Sequence, residues 1–125
     1  MLGERDAMAT VGVKDMKVSK KFYGETLGLK EVHAEGEGAA TYQSGSSRIL
    51  VYRSTFAGTN RATAVTWEVG GGIEELVGAL KERGVSFEHY DLPGTTRKGD
   101  LHVQGSRKLA WFQDPDGNIH ALFGQ

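Results

Sequence analysis

A chain of 125 residues, 38% hydrophobic and 25% charged, has the size and make-up of one globular domain with one core. Fifteen Lys and Arg against sixteen Asp and Glu leave a formal charge of -1, without the basic surplus that nucleic acid or an anionic membrane selects. The absence of cysteine removes disulfides, thiolate nucleophiles and thiolate metal sites and fits a reducing, cytoplasmic setting. No apolar run approaches the ~20 residues of a membrane span, and the charged stretch Met1 to Ala9 reads against a secretion leader.

In chain order, Ala9–Val13 reads as a strand and Asp15 as the N-cap of a helix over Met16–Leu27, with Phe22, Tyr23 and Leu27 on one face. Gly28 ends that helix. Lys14, Lys17, Lys20 and Lys21 are the nearest approach to a basic cluster; Lys14, Lys17 and Lys21 fall at helical spacing and read as a solvated face. Strands follow at Lys30–Glu35, Ala39–Gln43 and Arg48–Tyr52, with turns at Gly36-Glu37-Gly38 and Ser44 to Ser47. Residues 54–62 form a connector. Ala64–Val69 is the next strand. Ile73, Leu76, Val77 and Leu80 then fall at i, i+3, i+4 and i+7, an amphipathic helix with Glu74 and Glu75 in its first turn, Lys81 and Arg83 in its last, and Gly84 closing it. Strands are expected at Val85–Tyr90, Lys108–Gln113 and Ile119–Phe123, with a short one at Leu101–Val103. The intervening Asp91–Gly99 reads as a structureless insert, either a lid or a mobile loop. The pattern is strand–helix–three strands, twice: a first module over about 9–53 and a second over about 63–123, within a single domain of 1–125.

The run Trp111-Phe112-Gln113-Asp114-Pro115-Asp116-Gly117-Asn118 is a strand end, a tight turn and the start of a last strand. Together with Val13-Lys14-Asp15-Met16, Phe22-Tyr23 and Leu27-Gly28-Leu29, it resembles the vicinal-oxygen-chelate superfamily, which includes glyoxalase I, extradiol dioxygenases, and the bleomycin- and fosfomycin-resistance proteins. The resemblance spans about Ala9 to Phe123. It implies an α+β fold in which two βαβββ modules form a cupped half-barrel sheet with the helices outside, the cup being the active site. It also implies a homodimer, with the cup built within one chain or by exchange of modules.

Family enzymes hold a divalent metal in the cup with histidines and carboxylates from the first and last strands of each module, as a Lewis acid for a substrate with two neighbouring oxygens. By the family's spacing the first ligand precedes Asp15 by seven residues, which is Met8, and the last follows Gly117 by four, which is Ala121. The remaining two fall at Leu50 (Tyr52 if the register slips by two) and Ala64. None of Met8, Leu50, Ala64 and Ala121 ligates a hard divalent ion, so no metal of the family type and no cofactor is expected. Of the four histidines, His120 points away from Ala121 towards the helix, His33 and His89 read as surface strand residues, and His102 lies beside the long insert, where it either overhangs the cup or does not.

Strand parity assigns the cup lining. Thr10 and Gly12 follow Met8; Leu50 and Tyr52 share a face; Thr66 and Glu68 follow Ala64; Ile119 and Phe123 share parity with Ala121; and one of Trp111 and Phe112 faces in. Tyr42 and Tyr90 are further candidates, while Trp67 packs under a helix. Glu68 is the one carboxylate placed to act as a general base, with solvation or pairing to Arg48 or Arg53 as its plain alternative. No nucleophile elbow or phosphate-cradling glycine loop is present. The expected function is therefore metal-free binding of an apolar or aromatic small molecule, with Thr10, Leu50, Tyr52, Thr66, Glu68, Trp111, Ile119, Ala121 and Phe123 as its contacts. The alternatives are an enzyme of the superfamily (lyase, isomerase or dioxygenase-like) acting on a carbonyl or vicinal-oxygen compound, and a protein-interaction module.

Overall fold

The computed structural model describes residues Met1–Gln125. The chain forms two compact units, Met1–Thr59 and Asn60–Gln125. Each carries a sheet with one face buried against a helix, the α+β arrangement expected from the repeated pattern.

The first unit contains β1 (Ala9–Val13), α1 (Met16–Lys20), β2 (Lys30–Glu35), β3 (Ala39–Ser44) and β4 (Ser47–Arg53), in the sheet order β1-β4-β3-β2. The Asp15 carboxylate caps α1 by accepting from the backbone N–H groups of Lys17 at 2.8 Å and Val18 at 3.2 Å. The expected helix to Leu27 is modified. From Lys21 to Thr26 it continues in wider turns, and the Leu27 N–H reaches the Phe22 carbonyl five residues back at 2.8 Å. The neighbours Phe22 and Tyr23 are both buried there, ring against ring, over Val11, Val13, Ala40, Tyr42, Ile49 and Val51. Tyr42 thus belongs to the buried helix-side face, not to the opposite face considered for it. Burial, with the nearby Glu31 charge, pushes its phenol up to about 12. Every residue of β2 is exposed, and its pairing to β3 slips at Val32.

The second unit contains β5 (Thr63–Gly70), α2 (Ile73–Glu82), β6 (Phe87–Glu88), β7 (Thr96–Lys98), β8 (Leu101–Gln104), β9 (Arg107–Gln113) and β10 (Ile119–Gly124). The sheet order is β5-β10-β9-β8-β7, with β6 also on β9. Ile73, Val77 and Leu80 are the buried stripe of α2, and Trp67, Phe112, His120 and Leu122 lie on the sheet face beneath it. The expected strand Val85–Tyr90 shrinks to two residues, because the Val85 N–H closes the helix on the Leu80 carbonyl at 3.0 Å. The insert read as structureless is instead ordered in part: Thr96–Lys98 pairs antiparallel with Leu101–Gln104. Gly99, at φ 62, begins the two-residue turn between them.

At the far end of β10 the chain passes the entry of α2 so closely that only glycine fits. A Cβ on Gly124 would lie 2.3 Å from the Gly70 carbonyl oxygen and 3.2 Å from the Ile73 Cβ. The Gln125 N–H donates to that same carbonyl at 2.9 Å, which pins the strand end. Gly124→Ala is expected to destabilise by about 2 kcal/mol through overpacking, read as a lower thermal midpoint.

Candidate ligand-binding site

The face of the second sheet opposite α2 is organised by strand pairing into two cross-strand rows. One runs Glu88, Trp111, Ala121, Thr66; the other runs Arg97, His102, Leu109, Phe123, Glu68. Paired residues share a face, so the structure brings together Thr66, Glu68, Trp111, Ala121 and Phe123. Ile119, paired with Gln113, joins them. Trp111 therefore faces this way and Phe112 packs under the helix. Trp111 and Phe123 are half-buried, Ile119 and Ala121 are buried, and Thr66 and Glu68 are exposed. Glu68 thus sits in solvent beside Phe123, not in an apolar hollow. The register of β5 slips between Thr63 and Val65, so Ala64 is an extra residue there and simple alternation does not fix its side.

In the first unit, Thr10 pairs with Leu50 and Gly12 with Tyr52. This face, opposite the buried one, also takes Thr41 and Ala39. Thr10 and Tyr52 are exposed and Leu50 half-buried. Tyr52 at 40% exposure is a large ring without a core role. Of the lysines, Lys14, Lys17 and Lys20 line one cleft with Glu37 and Arg53, and Lys20 pairs with Glu31 at 3.7 Å.

Polar groups that residue spacing did not single out complete the second unit's open face. The Arg107 guanidinium lies 4.8 Å from the centre of the Phe123 ring. Gln113 donates to Glu88. His102 is fully buried: Trp111 meets it edge-on at 4.9 Å, and Tyr90 packs on it at 6.1 Å. His89 is outside this face's rows; its Nε2 contacts Asp100 at 2.8 Å, and Lys81 from α2 holds the other Asp100 oxygen at 2.8 Å. Lys81, then His89, keeps the Asp100 carboxyl below its usual range. His33 is exposed and contacts Glu35 at 2.7 Å.

The donor set does not fit a metal of the family type. Ala64 and Ala121 end at a methyl, Leu50 at an isobutyl group, and Met8 offers a soft thioether on a 42% exposed side chain. No group of three or more His, Asp or Glu side chains is gathered as a metal site. His120, adjacent to Ala121, lies on the helix side between Trp67 and Phe112.

A family model described as the Glyoxalase/Bleomycin resistance protein/Dioxygenase superfamily matches residues 7–122. Among solved structures, the chain is similar to the fosfomycin resistance protein FosX from Listeria monocytogenes, complexed with Mn(II) and sulfate ion: 16% identity, 96% of this chain and 89% of that one covered, TM-score 0.72. It is also similar to a glyoxalase family protein from Enterococcus faecalis, at 21% identity, 98% and 99% coverage and a TM-score of 0.69. A third is a glyoxalase/bleomycin resistance protein from Streptomyces sp. CB03234, at 19% identity, 94% and 98% coverage and a TM-score of 0.65. At these identities the likeness shows the fold. No curated protein matches the sequence significantly. No helix is long and apolar enough to cross a membrane.

Proposed function

The chain belongs to the glyoxalase/bleomycin resistance protein/dioxygenase superfamily, and on that premise we propose that it is a binding protein for a planar, largely apolar small molecule, held without a metal ion. One observation carries the reading: Trp111 and Phe123 stand half-buried on the open face of the second sheet, over buried Ile119 and Ala121. Aromatic surface of this kind gains by stacking on a flat ligand and by leaving water. The family's ligand positions support the metal-free part, because their side chains present no hard donor atoms.

The test is titration of metal-stripped protein with 2-naphthoate and 2-naphthalenemethanol, followed by amide chemical shifts. Saturable binding is expected, with the largest shifts at Trp111, Ala121 and Phe123, unchanged by EDTA. Trp111→Ala is expected to weaken it at least about tenfold, since a stacked ring contributes on the order of 1 kcal/mol beyond its buried area. Binding of neither compound, or binding that needs an added divalent ion, would overturn the reading.

A further inference from the structure

Next to the open face of the second sheet lies a cleft of about 310 Å³, lined by Tyr90, Asp91, Leu92, Pro93, Thr95 and Arg97. Two of these residues tie it to the aromatic face. Arg97 is the strand partner of His102, which pairs in turn with Leu109 in the row that ends at Phe123 and Glu68. Tyr90 packs on His102 and stands edge-on to Trp111 at 5.1 Å. Arg97 is exposed and makes no ion pair, so its guanidinium is available to a ligand from the cleft.

His102 supplies the second, independent observation. Its Nε2 lies 2.9 Å from the Tyr90 backbone nitrogen. A backbone N–H only donates, so Nε2 accepts, and the proton of the neutral ring sits on Nδ1. That Nδ1–H is buried and has no hydrogen-bond partner in the protein. A buried donor left unpaired costs about 1–3 kcal/mol, a cost that an apolar residue at this position would avoid. The protein supplies no acceptor for it, and the Tyr90 ring packed on it also lines the cleft.

We infer that the cleft holds the acidic end of a planar aromatic carboxylic acid, with Arg97 pairing with the carboxylate, Tyr90 and Trp111 flanking the ring, and the His102 Nδ1–H donating to a carboxylate oxygen. The inference rests on the proposed binding function and adds the ligand's charge and its polar anchor. A guanidinium–carboxylate contact and a second donor at a low-dielectric position discriminate strongly against a neutral analogue.

The experiment compares 2-naphthoate with neutral 2-naphthalenemethanol on the 15N-labelled full chain. The acid is expected to bind at least about tenfold more tightly, and Arg97→Gln, on an exposed strand, to remove that preference while leaving the alcohol's affinity unchanged. Long-range 1H–15N spectra of the imidazole are expected to show His102 protonated at Nδ1 in the free protein, with that nitrogen shifting when the acid binds. His102→Phe is expected to weaken the acid selectively; should that variant fail to fold, Arg97→Gln and the imidazole spectra decide. Equal binding of acid and alcohol overturns the inference and leaves the aromatic-binding function standing. A proton on Nε2, or an acid complex that leaves the His102 ring unperturbed, overturns it as well. Binding of neither compound overturns both.

Discussion

Asp114→Ala is expected to lower the unfolding free energy by about 4 kcal/mol. The Asp114 side chain is buried at 4% exposure and serves three donors. Its Oδ1 accepts from the backbone N–H groups of Asp116 and Asn118, both at 2.9 Å, and its Oδ2 accepts from the Asn118 Nδ2 at 2.8 Å. Backbone bonds between Asp114 and Asn118 at 2.9 Å, and from Gly117 to Asp114 at 3.0 Å, close the turn around it. Gly117 takes φ 93 there. Hydrogen bonds to a charged acceptor contribute about 1.5–3 kcal/mol each, and donors left buried and unpaired add their desolvation cost. The three bonds share one geometry, so the sum is well short of additive. Asp114→Asn keeps one acceptor but turns a donor towards a donor; a loss of about 2 kcal/mol is expected. Urea denaturation of both variants checks the order. An alanine variant within 1 kcal/mol of the parent would mean that the turn is held by its backbone alone.

This turn was legible from residue chemistry, since proline, glycine and short carboxylates in that order specify a tight reversal between two apolar strands. The same local logic placed the Asp15 cap and the buried stripe of α2. It failed where no residue type announces the geometry. Nothing in Lys21–Thr26 distinguishes a wide turn from an α turn; the distinction comes from seating the adjacent rings Phe22 and Tyr23 together against the sheet. The β7–β8 hairpin had a signal that Pro93 and Gly94 obscured. Gly99-Asp100 is a two-residue turn with glycine in the left-handed region, flanked by residues that pair.

The candidate site was legible to the extent that strands alternate. Parity alone put Ala121, Phe123, Thr66 and Glu68 on one face, because β10 and most of β5 keep regular register; it left Trp111 and Phe112 as alternatives, which the pairing of Trp111 with Ala121 decides. It lost Ala64 at the bulge, and it misplaced Tyr42 because hydropathy does not tell an aromatic ring on the open face from one in the core. His102 was ambiguous for a different reason. Its strand is only Leu101–Gln104, too short for periodicity to declare a side, and its orientation follows from pairing with Leu109, a partner that sequence does not reveal. Arg97 was hidden with it, inside a segment whose pairing was not foreseen.

The buried histidine on the other face, His120, sets the protein's response to acid. It is fully buried between Trp67 and Phe112, and burial lowers its pKa from 6.5 to about 4, against a weaker opposite pull from the Asp114 carboxylate. The folded protein therefore keeps the ring neutral at pH values where the unfolded chain protonates it. Proton binding by the unfolded state makes stability fall with falling pH. The contribution is complete above about pH 6.5 and is lost as pH falls through 4, at about 1.4 kcal/mol per unit, or roughly 3 kcal/mol in all. Between pH 6.5 and 5 the urea midpoint is expected to drop by on the order of 1 M for a chain of this size. In His120→Phe that slope is expected to vanish between pH 6.5 and 5 whatever happens to the stability at neutral pH, since phenylalanine binds no proton and keeps the contacts with Trp67 and Phe112. Asp114→Ala gives the complementary result: removing the carboxylate removes a charge that favours the protonated ring, so the remaining pH slope extends to still lower pH. A His120→Phe variant with the parent's slope would move the acid sensitivity to other groups.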